Sequence, residues 1–310
     1  MGKMPEQEGS RLHHVDASHV VYAFDKESVP AVRVRSGDVV VLECDDCNHG
    51  AVSRPEHGPS QVDFDRINPA TGPIFVEEAE PGDVLAVRIL NIEVGDRGSS
   101  VGFPGEYGFL KDDGIEQFTK IAPVRDGVVV FRDDVLIPVR PSLGTFGVAP
   151  AGEPIATFRT GDIGANMDHK DVCAGNTVYL PVFVAGALLA MGDAHAAIGD
   201  GEPAGEGLEV SCVATVGVEV RKGISLPRPM IETPAEIMTC GWGVTMEDAA
   251  ACAMRDMVDF VERKLVMPRA EAYSLLGLVG DLRPGNAVCS PGAMRFAVPR
   301  QVFTRVITVP

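Results

Sequence analysis

Short apolar runs, each introduced by a turn signal, dominate the first three quarters of the chain. Val39–Leu42, Val84–Ile89 and Thr177–Val182 each follow a Gly-Asp or Gly-Asn step. Gly supplies the positive φ of a tight turn, and Asp or Asn can bond its own backbone. The runs are β-branched and partly alternating, as half-buried strands are. The pattern predicts many strands, and further candidates are 128–131, 208–220 and 302–309.

Helical periodicity is convincing only late in the chain. Thr245 opens a capping-box pattern, which predicts a helix from there to about Leu265. Pro268 suits the start of a second helix, predicted from Arg269 to about Gly280. Apolar segments at 231–238 and 294–298 predict strands beside these helices.

The distribution of these elements predicts an α+β fold that is predominantly β. With 310 residues, the chain is larger than a single hydrophobic core usually grows. We therefore expect a β-rich core over residues 1–230 that carries the functional site. Residues 231–310 are expected to form a small α+β lobe with two helices packed on strands.

The charge and composition of the chain exclude some classes of binding partner. The formal net charge of −17 repels phosphate backbones and anionic lipid surfaces, so neither nucleic acid nor a membrane is an expected partner. No segment approaches the roughly 18 apolar residues of a transmembrane helix, and Met1 to His14 lacks the apolar region of a secretory signal. The seven dispersed cysteines are typical of reduced thiols in a cytoplasmic protein, so no disulfides are expected.

The segment from Gly192 to Glu202 carries the most informative polar pattern. Asp193 and His195 are two residues apart, as are Asp200 and Glu202, so each pair would share one face of an extended backbone. A carboxylate beside an imidazole is a ligand type that zinc and other transition metals prefer. The alternative is a plain Gly-Asp turn with an exposed histidine, and spacing alone does not decide between the two.

Two other polar clusters are candidates for the same site. Asp168 lies in the segment Gly164–Asp171, either as a turn residue or as a ligand from a neighbouring strand. Asp46 lies at the end of an apolar strand, where acidic residues line a cleft more often than a core because unpaired buried charge is costly. Cys44 and Cys47 form a single CxxC with no second pair at zinc-finger spacing, which favours a packing role.

Several phrases of the sequence in combination resemble the acetamidase/formamidase family over most of the chain. The phrases that carry the resemblance are Asn68-Pro69-Ala70-Thr71-Gly72-Pro73, Pro81-Gly82-Asp83-Val84-Leu85, Gly147-Val148-Ala149-Pro150, Asn166-Met167-Asp168, Gly192 to Glu202 and Gly280-Asp281-Leu282. The resemblance implies a β-rich α+β fold, assembly as a homo-oligomer (a dimer or trimer), and hydrolysis of short amides such as formamide or acetamide. It also implies a divalent metal ion as cofactor, with zinc as the first candidate and calcium as the second.

The residues that fall on the family pattern are Asp46, Asp168, Asp193, His195 and Glu202. We expect Asp193 and His195 to hold the metal together with Asp46 or Asp168, so that the metal activates water and polarises the amide carbonyl. Glu202 would act as the general base, with Asp168 as a second catalytic candidate. The sequence departs from the family around Cys44-Asp45-Asp46 and at Glu206-Gly207, and both departures bear on substrate preference.

Two alternatives remain open from the sequence. The first is an amidohydrolase that opens lactams, because the family also resembles such enzymes. The second is a non-catalytic β-rich module that binds structural calcium through Asp193, Asp200 and Glu202, although His195 is a poor calcium ligand. A small substrate implies a small pocket, and the expected walls are Phe75, Phe146 or Met167.

Overall fold

Strands dominate the protein, and two α-helices lie near its C-terminal end. The computed structural model describes residues 9–304 and Val309. Most of the strands belong to two large sheets, and a third, two-stranded sheet pairs β3 (Ala23–Phe24) with β13 (Ile155–Ala156). The predicted α+β class with a predominance of β-structure is confirmed.

The first large sheet has nine strands and extends across most of the chain. Its strands, in spatial order, are β1 (Leu12–Val15), β5 (Val39–Cys44), β19 (Cys212–Arg221), β7 (Val84–Val94), β16 (Thr177–Pro181), β20 (Met230–Glu232), β21 (Glu236–Gly243), β23 (Gly292–Pro299) and β22 (Asp281–Pro284). Along β19, Cys212, Ala214, Val216 and Val218 are buried in alternation, as the sequence predicts.

The second large sheet has twelve strands and carries the functional site. Its main path is β11 (Val135–Pro138), β10 (Val128–Arg132), β9 (Thr119–Arg125), β8 (Arg97–Val101), β18 (Leu208–Glu209), β17 (Leu189–Ala197), β12 (Ser142–Gly147), β15 (Gly164–Asn166) and β14 (Thr160–Gly161). Three strands join it at the side: β2 (Val20–Val21) and β4 (Val32–Val34) pair with β6 (Ala70–Val76), and β6 pairs with β17. Eight of the nine residues of β17 are buried, so this strand is central to the hydrophobic core.

The two helices are α1 (Met246–Leu265) and α2 (Arg269–Val279). Thr245 caps α1 by accepting a hydrogen bond from the backbone N–H of Asp248, as predicted. The helices pack through Met257, Val261 and Leu276 on a second hydrophobic cluster that includes β23 residues. Short 3-10 helices span Pro59–Gln61 and Arg300–Val302.

The predicted boundary at residue 230 falls inside a sheet. β20 pairs with β16 on one side and with β21 on the other, so strands from both predicted units share the nine-stranded sheet. The division into two units therefore stays a prediction. The strand predicted over 231–238 is in fact two strands, β20 and β21, joined by a turn. The strand predicted over 302–309 starts in a 3-10 turn, and its residues 305–308 lie outside the described residues.

Candidate active site

The site is built where β17 runs antiparallel to β12. Ser142 pairs with His195, Leu143 with Ala194 and Thr145 with Gly192, so Gly144 lies opposite Asp193. Gly144 leaves the space that the functional side chains use. A Cβ atom at this position would lie 2.3 Å from Asp168 Oδ1, 2.5 Å from Asp193 Oδ2 and 2.7 Å from His195 Cε1. These three side chains therefore converge over the Gly144 backbone.

Several site residues adopt a left-handed backbone although they are not glycine. The φ angles are 51° for Asn68, 47° for Asp168, 57° for Asp193 and 46° for Glu202. Such angles are uncommon for residues other than glycine, and they cluster at functional sites when the surrounding structure enforces them. The fold thus holds all four side chains in place at a conformational cost.

His195 is the only imidazole among the candidate metal clusters of the described residues, and it is surrounded by carboxylates. Its side chain is 1% exposed. Its Nε2 lies 3.1 Å from Glu209 Oε1, 3.7 Å from Glu202 Oε1 and 3.8 Å from Asp193 Oδ1. Glu209 lies directly across the sheet from His195 in the pairing of β17 with β18, which places the two side chains on one face.

Amide side chains orient two of the carboxylates. Asn68 Nδ2 lies 2.6 Å from Asp193 Oδ2, with Asn166 Oδ1 and Thr145 Oγ1 as its other acceptors. Asn286 Nδ2 donates to Asp168 Oδ2 at 2.7 Å. Each amide N–H donates to one oxygen of its carboxylate, Asp193 Oδ2 or Asp168 Oδ2, and so fixes the orientation of that side chain.

A small cavity opens beside these carboxylates. Its volume is about 90 Å³, equal to about three water molecules at roughly 30 Å³ each. Aromatic and acidic side chains both line the cavity. The aromatic residues are Phe64, Phe103, Tyr107 and Phe158, and the acidic ones are Asp168, Asp193, Glu202, Glu206 and Glu209. None of the described residues that line the cavity is Lys or Arg.

Burial, and after it the charge of neighbouring groups, raises the pKa values of Asp168, Glu202, Glu206 and Glu209. Burial and the charge of Asp193 raise the pKa of Asp168 to about 7. Burial, then the neighbouring Asp168, raises the pKa of Glu202 well above its ordinary value. The pKa of Glu209 is raised in the same way by burial and by Asp193. Burial raises the pKa of Glu206 to about 7, although Val101 and Asn48 donate hydrogen bonds to it.

The donor atoms fit a divalent cation. One ligand atom each from Asp168, Asp193 and His195 lie within 4.8 Å of one another, and His195, Glu202 and Glu209 form a second such group. Asp168 Oδ1, His195 Nδ1 and Glu209 Oε2 are buried and have no hydrogen-bond partner among the described residues. Unpaired buried polar atoms are costly and need an explanation. A cation is a partner of the kind that a buried carboxylate oxygen such as Asp168 Oδ1 lacks, and the mixture of imidazole and carboxylate in these groups suits zinc.

The sequence profile of the Acetamidase/Formamidase family matches residues 15–161 and 153–305, which together span nearly the whole chain. The chain belongs to this family. Its relatives include a formamidase from Methylophilus methylotrophus, 28% identical over 227 residues, a match that covers 54% of this chain and 56% of the relative. The chain thus spans about half the length of the curated relatives it matches.

Solved structures match the fold more completely. The acetamidase of Bacillus halodurans is 38% identical with a TM-score of 0.91, and the match covers 94% of this chain and 98% of that one. A predicted acetamidase/formamidase from Thermoanaerobacter tengcongensis is 35% identical with a TM-score of 0.91, and the match covers 94% and 97% of the two chains. Family membership gives no support to the alternative of a non-catalytic calcium module.

The structure brings four of the five predicted site residues together. Asp168, Asp193 and His195 share one cluster, and Glu202 joins His195 in the next. Asp46 is in neither of these groups, and its Oδ1 accepts hydrogen bonds from the backbone N–H groups of Asn48 and Gly50. Its carboxylate thus closes the turn after β5.

Two expectations about neighbouring residues were wrong. Asp200 does not share a face with Glu202, because Asp200 forms ion pairs with Lys170 and Arg295 instead. Phe75, Phe146 and Met167 do not line the described cavity. Phe146 and Met167 are fully buried in the core, and Phe75 packs under the guanidinium of Arg33.

Several residues of the candidate site could not be identified from the sequence. Glu209 and Asn286 lie in segments that give no local signal, since only the pairing of β18 with β17 and the loop after β22 bring them to the site. Gly144 looks like any glycine in a strand, where it usually marks a bulge or a close approach. Asn68 belongs to one of the sequence phrases that resemble the family, but that phrase gives no indication of its hydrogen bond to Asp193.

Proposed function

We propose that this chain hydrolyses short, uncharged amides such as formamide and acetamide to a carboxylate and ammonia, with a divalent metal at Asp168, Asp193 and His195. The observation that carries the proposal is the convergence of these three side chains over Gly144, beside a cavity of about 90 Å³. Membership of the Acetamidase/Formamidase family supports the reaction class.

Zinc is the proposed metal. When bound, it would act as a Lewis acid toward the amide carbonyl and make water a stronger nucleophile near neutral pH. Asp193 is oriented for a ligand role by Asn68, and Asp168 by Asn286. Outer partners of this kind fix ligand geometry in metal sites. Asp46, whose oxygen is engaged by a turn, is not included in the proposed ligand set.

Glu202 is proposed as the general base. Its carboxylate is buried, lies 3.7 Å from His195 Nε2 and has a raised pKa. A carboxylate whose pKa lies nearer to neutrality accepts a proton from water more readily. The protonated Glu202 would then deliver that proton to the departing nitrogen. An amide needs both steps, because its carbonyl is a weak electrophile and its nitrogen is a poor leaving group.

The lining of the cavity favours a neutral substrate. Five acidic side chains and no described Lys or Arg line the cavity, so none of these side chains offers a positive charge to an anionic amide. A neutral amide needs no such partner, and its NH₂ group can donate to a carboxylate oxygen.

Ammonia release tests the proposal. Purified protein should release ammonia from formamide and acetamide, lose this activity on treatment with a strong chelator, and regain it with added zinc. The cyclic amide 2-pyrrolidinone serves as the comparison substrate for the lactam alternative. Activity that survives complete metal removal would contradict the metal, and absence of turnover on every amide would contradict the reaction.

The proposal extends to the compartment and the assembly of the protein. All seven cysteines are free thiols, which supports a reducing cytoplasmic compartment. Among the described residues, neither helix is long and apolar enough to cross a membrane. We also propose a dimer or trimer, and light scattering on the eluting protein would measure its mass directly.

A further inference from the structure

Arg295 is a fully buried cation that joins three separate segments of the chain. It lies in β23, and its side chain is 0% exposed. Its Nε donates to Asp171 Oδ2 at 2.6 Å and its Nη1 to the Pro284 carbonyl at 2.7 Å, while Nη2 donates to Asp200 Oδ1. A planar guanidinium is suited to this arrangement, since it presents several donors in fixed directions.

Each segment that Arg295 holds carries a residue of the proposed site. Asp171 is three residues after Asp168, and Asp200 is two residues before Glu202. Pro284 is two residues before Asn286, whose side chain donates to Asp168. A single side chain is therefore bonded to all three segments that supply Asp168, Glu202 and Asn286, the amide partner of Asp168.

Backbone hydrogen bonds connect the same loops close to the site. The N–H of Asn286 donates to the Met167 carbonyl at 2.9 Å, and that of Ala287 donates to the Gly201 carbonyl at 3.3 Å. These bonds touch the residues immediately before Asp168 and Glu202. The loop after β22 is thus a bridge between the two carboxylate loops, and Arg295 is bonded to Pro284, the residue immediately before that loop.

The charge of Arg295 is balanced locally. Asp171 and Asp200 face it, and Lys170 forms a second ion pair with Asp200 at 2.7 Å. Burial opposes the ionisation of Asp200, but hydrogen bonds from Lys170 and Arg295 outweigh it and lower the pKa of Asp200. Both carboxylates are therefore available as fixed anchors for the guanidinium.

We propose that Arg295 is a positioning residue, which sets the separation of Asp168 and Glu202 by clamping their two loops to β23. This inference rests on the proposed function for its catalytic consequence. Arg295 is not among the described residues that line the cavity, so it acts through the loops and not through the substrate.

The test compares Arg295→Met and Arg295→Lys with a matched control, Arg228→Met. Arg228 forms a bidentate pair with Asp256 on α1, outside the described cavity. Three quantities are measured on each folded protein: kcat and KM for formamide, the affinity for zinc by chelator competition, and the unfolding temperature. Turnover is normalised to the folded fraction from circular dichroism.

We expect Arg295→Met to lower kcat by about 10²-fold with a much smaller change in KM, because a small misplacement of reacting groups is enough for such a loss. Its zinc affinity should fall by about 10- to 100-fold, the usual effect of losing an outer partner. Arg295→Lys, which retains the charge without the fork, should recover part of both. Arg228→Met should lower the unfolding temperature and leave kcat and zinc affinity near wild type.

The proposal is overturned if Arg295→Met keeps wild-type kcat and zinc affinity, or if Arg228→Met lowers them equally. If Arg295→Met does not fold, the triple change with Asp171→Asn and Asp200→Asn removes the unpaired charges and takes its place in the same comparison. Should the wild type hydrolyse no amide, the proposed function fails, whereas the zinc measurement still decides whether Arg295 positions the loops.

Discussion

Gly144 shows how much of this site depends on the absence of one side chain. Three candidate ligand residues occupy the volume where its Cβ would be, and the nearest atom, Asp168 Oδ1, is only 2.3 Å away. No side chain at position 144 fits without moving Asp168, Asp193 or His195. The contacts around Gly144 come from other segments of the chain, so the sequence alone did not identify the role of this glycine.

Gly144→Ala should abolish the site while the protein still folds. The added methyl group displaces the ligand side chains, so we expect zinc binding to be lost and turnover to fall by more than ~10²-fold. Gly152→Ala is the control, since nothing lies within 4 Å of its Cβ position. Zinc bound per chain and formamide turnover are the measurements, and normal zinc binding by Gly144→Ala would contradict the site.

The Glu202→Gln variant tests whether Glu202 is the general base or a metal ligand. If Glu202 is the base, zinc content should stay near wild type and kcat should fall by ~10²–10⁴-fold, the range for losing acid–base catalysis. Weaker metal binding with partial rescue by excess zinc would make Glu202 a ligand instead. An unchanged kcat would show that Glu202 is not the general base and would leave Glu209 or Asp168 as the candidate. Glu206→Gln, at a cavity carboxylate given no catalytic role here, is the matched control.

The raised pKa values predict how pH affects stability without metal. Folding raises the pKa of Asp168 from 3.8 to about 7 and that of Glu206 from 4.5 to about 7. A raised folded-state pKa stabilises the protein below the unfolded value, and this contribution is lost as pH rises through about 7. In chelator, the unfolding temperature should therefore fall between pH 5 and pH 8.

Two comparisons check this prediction. Zinc should oppose the loss at pH 8, because it binds the deprotonated ligands of the folded state. Asp168→Asn should reduce the fall in the chelated protein, since the amide does not titrate. A chelated wild type whose unfolding temperature rises steadily from pH 5 to pH 8 would show that these carboxylates are not protonated as described.

At the scale of elements, the sequence predicted what local patterns determine. Helix α1 begins after Thr245 and ends at Leu265, as its cap and periodicity indicate. The side chains of Asp193 and His195 converge as their spacing predicts, yet Asp193 has a φ of 57° and is not regularly extended. Glu209 could not be predicted, because its place depends on pairing between strands and not on a local pattern.

The aromatic side chains that line the cavity come from three segments of the chain, and they should set the length of the acyl group. Phe103 lies among them, with ring centroids 6.0 Å from Phe64 and 5.7 Å from Tyr107. Phe103→Ala should enlarge the cavity and raise kcat/KM for propionamide relative to acetamide by about 10-fold, since the one methylene by which they differ is worth ~1–3 kcal/mol in a pocket.

Phe131→Ala is the control for this change, because Phe131 is partly exposed on β10 and stacks with Lys120. It removes the same ring outside the described cavity and should leave the ratio unchanged. A Phe103→Ala protein that keeps the wild-type preference for acetamide would show that these aromatic side chains do not select the acyl group.

At the scale of the whole molecule, the negative charge is concentrated at the site as well as on the surface. The formal net charge is −17, and five of the acidic residues line one small cavity. The sequence could predict the excess of acidic residues but not their convergence, because Asp168, Asp193 and the residues from Glu202 to Glu209 are brought together by strand pairing and by loop conformation. Family membership and the fold match support an enzyme built around this convergence.

The most direct test measures zinc per chain and formamide turnover on the same preparations of wild type and His195→Ala. His195 is buried and lies in both of the candidate metal groups described above, so its removal should empty the site. The account predicts about one zinc per wild-type chain, and joint loss of zinc and turnover in folded His195→Ala. A folded His195→Ala protein with wild-type zinc content and turnover would contradict the central claim.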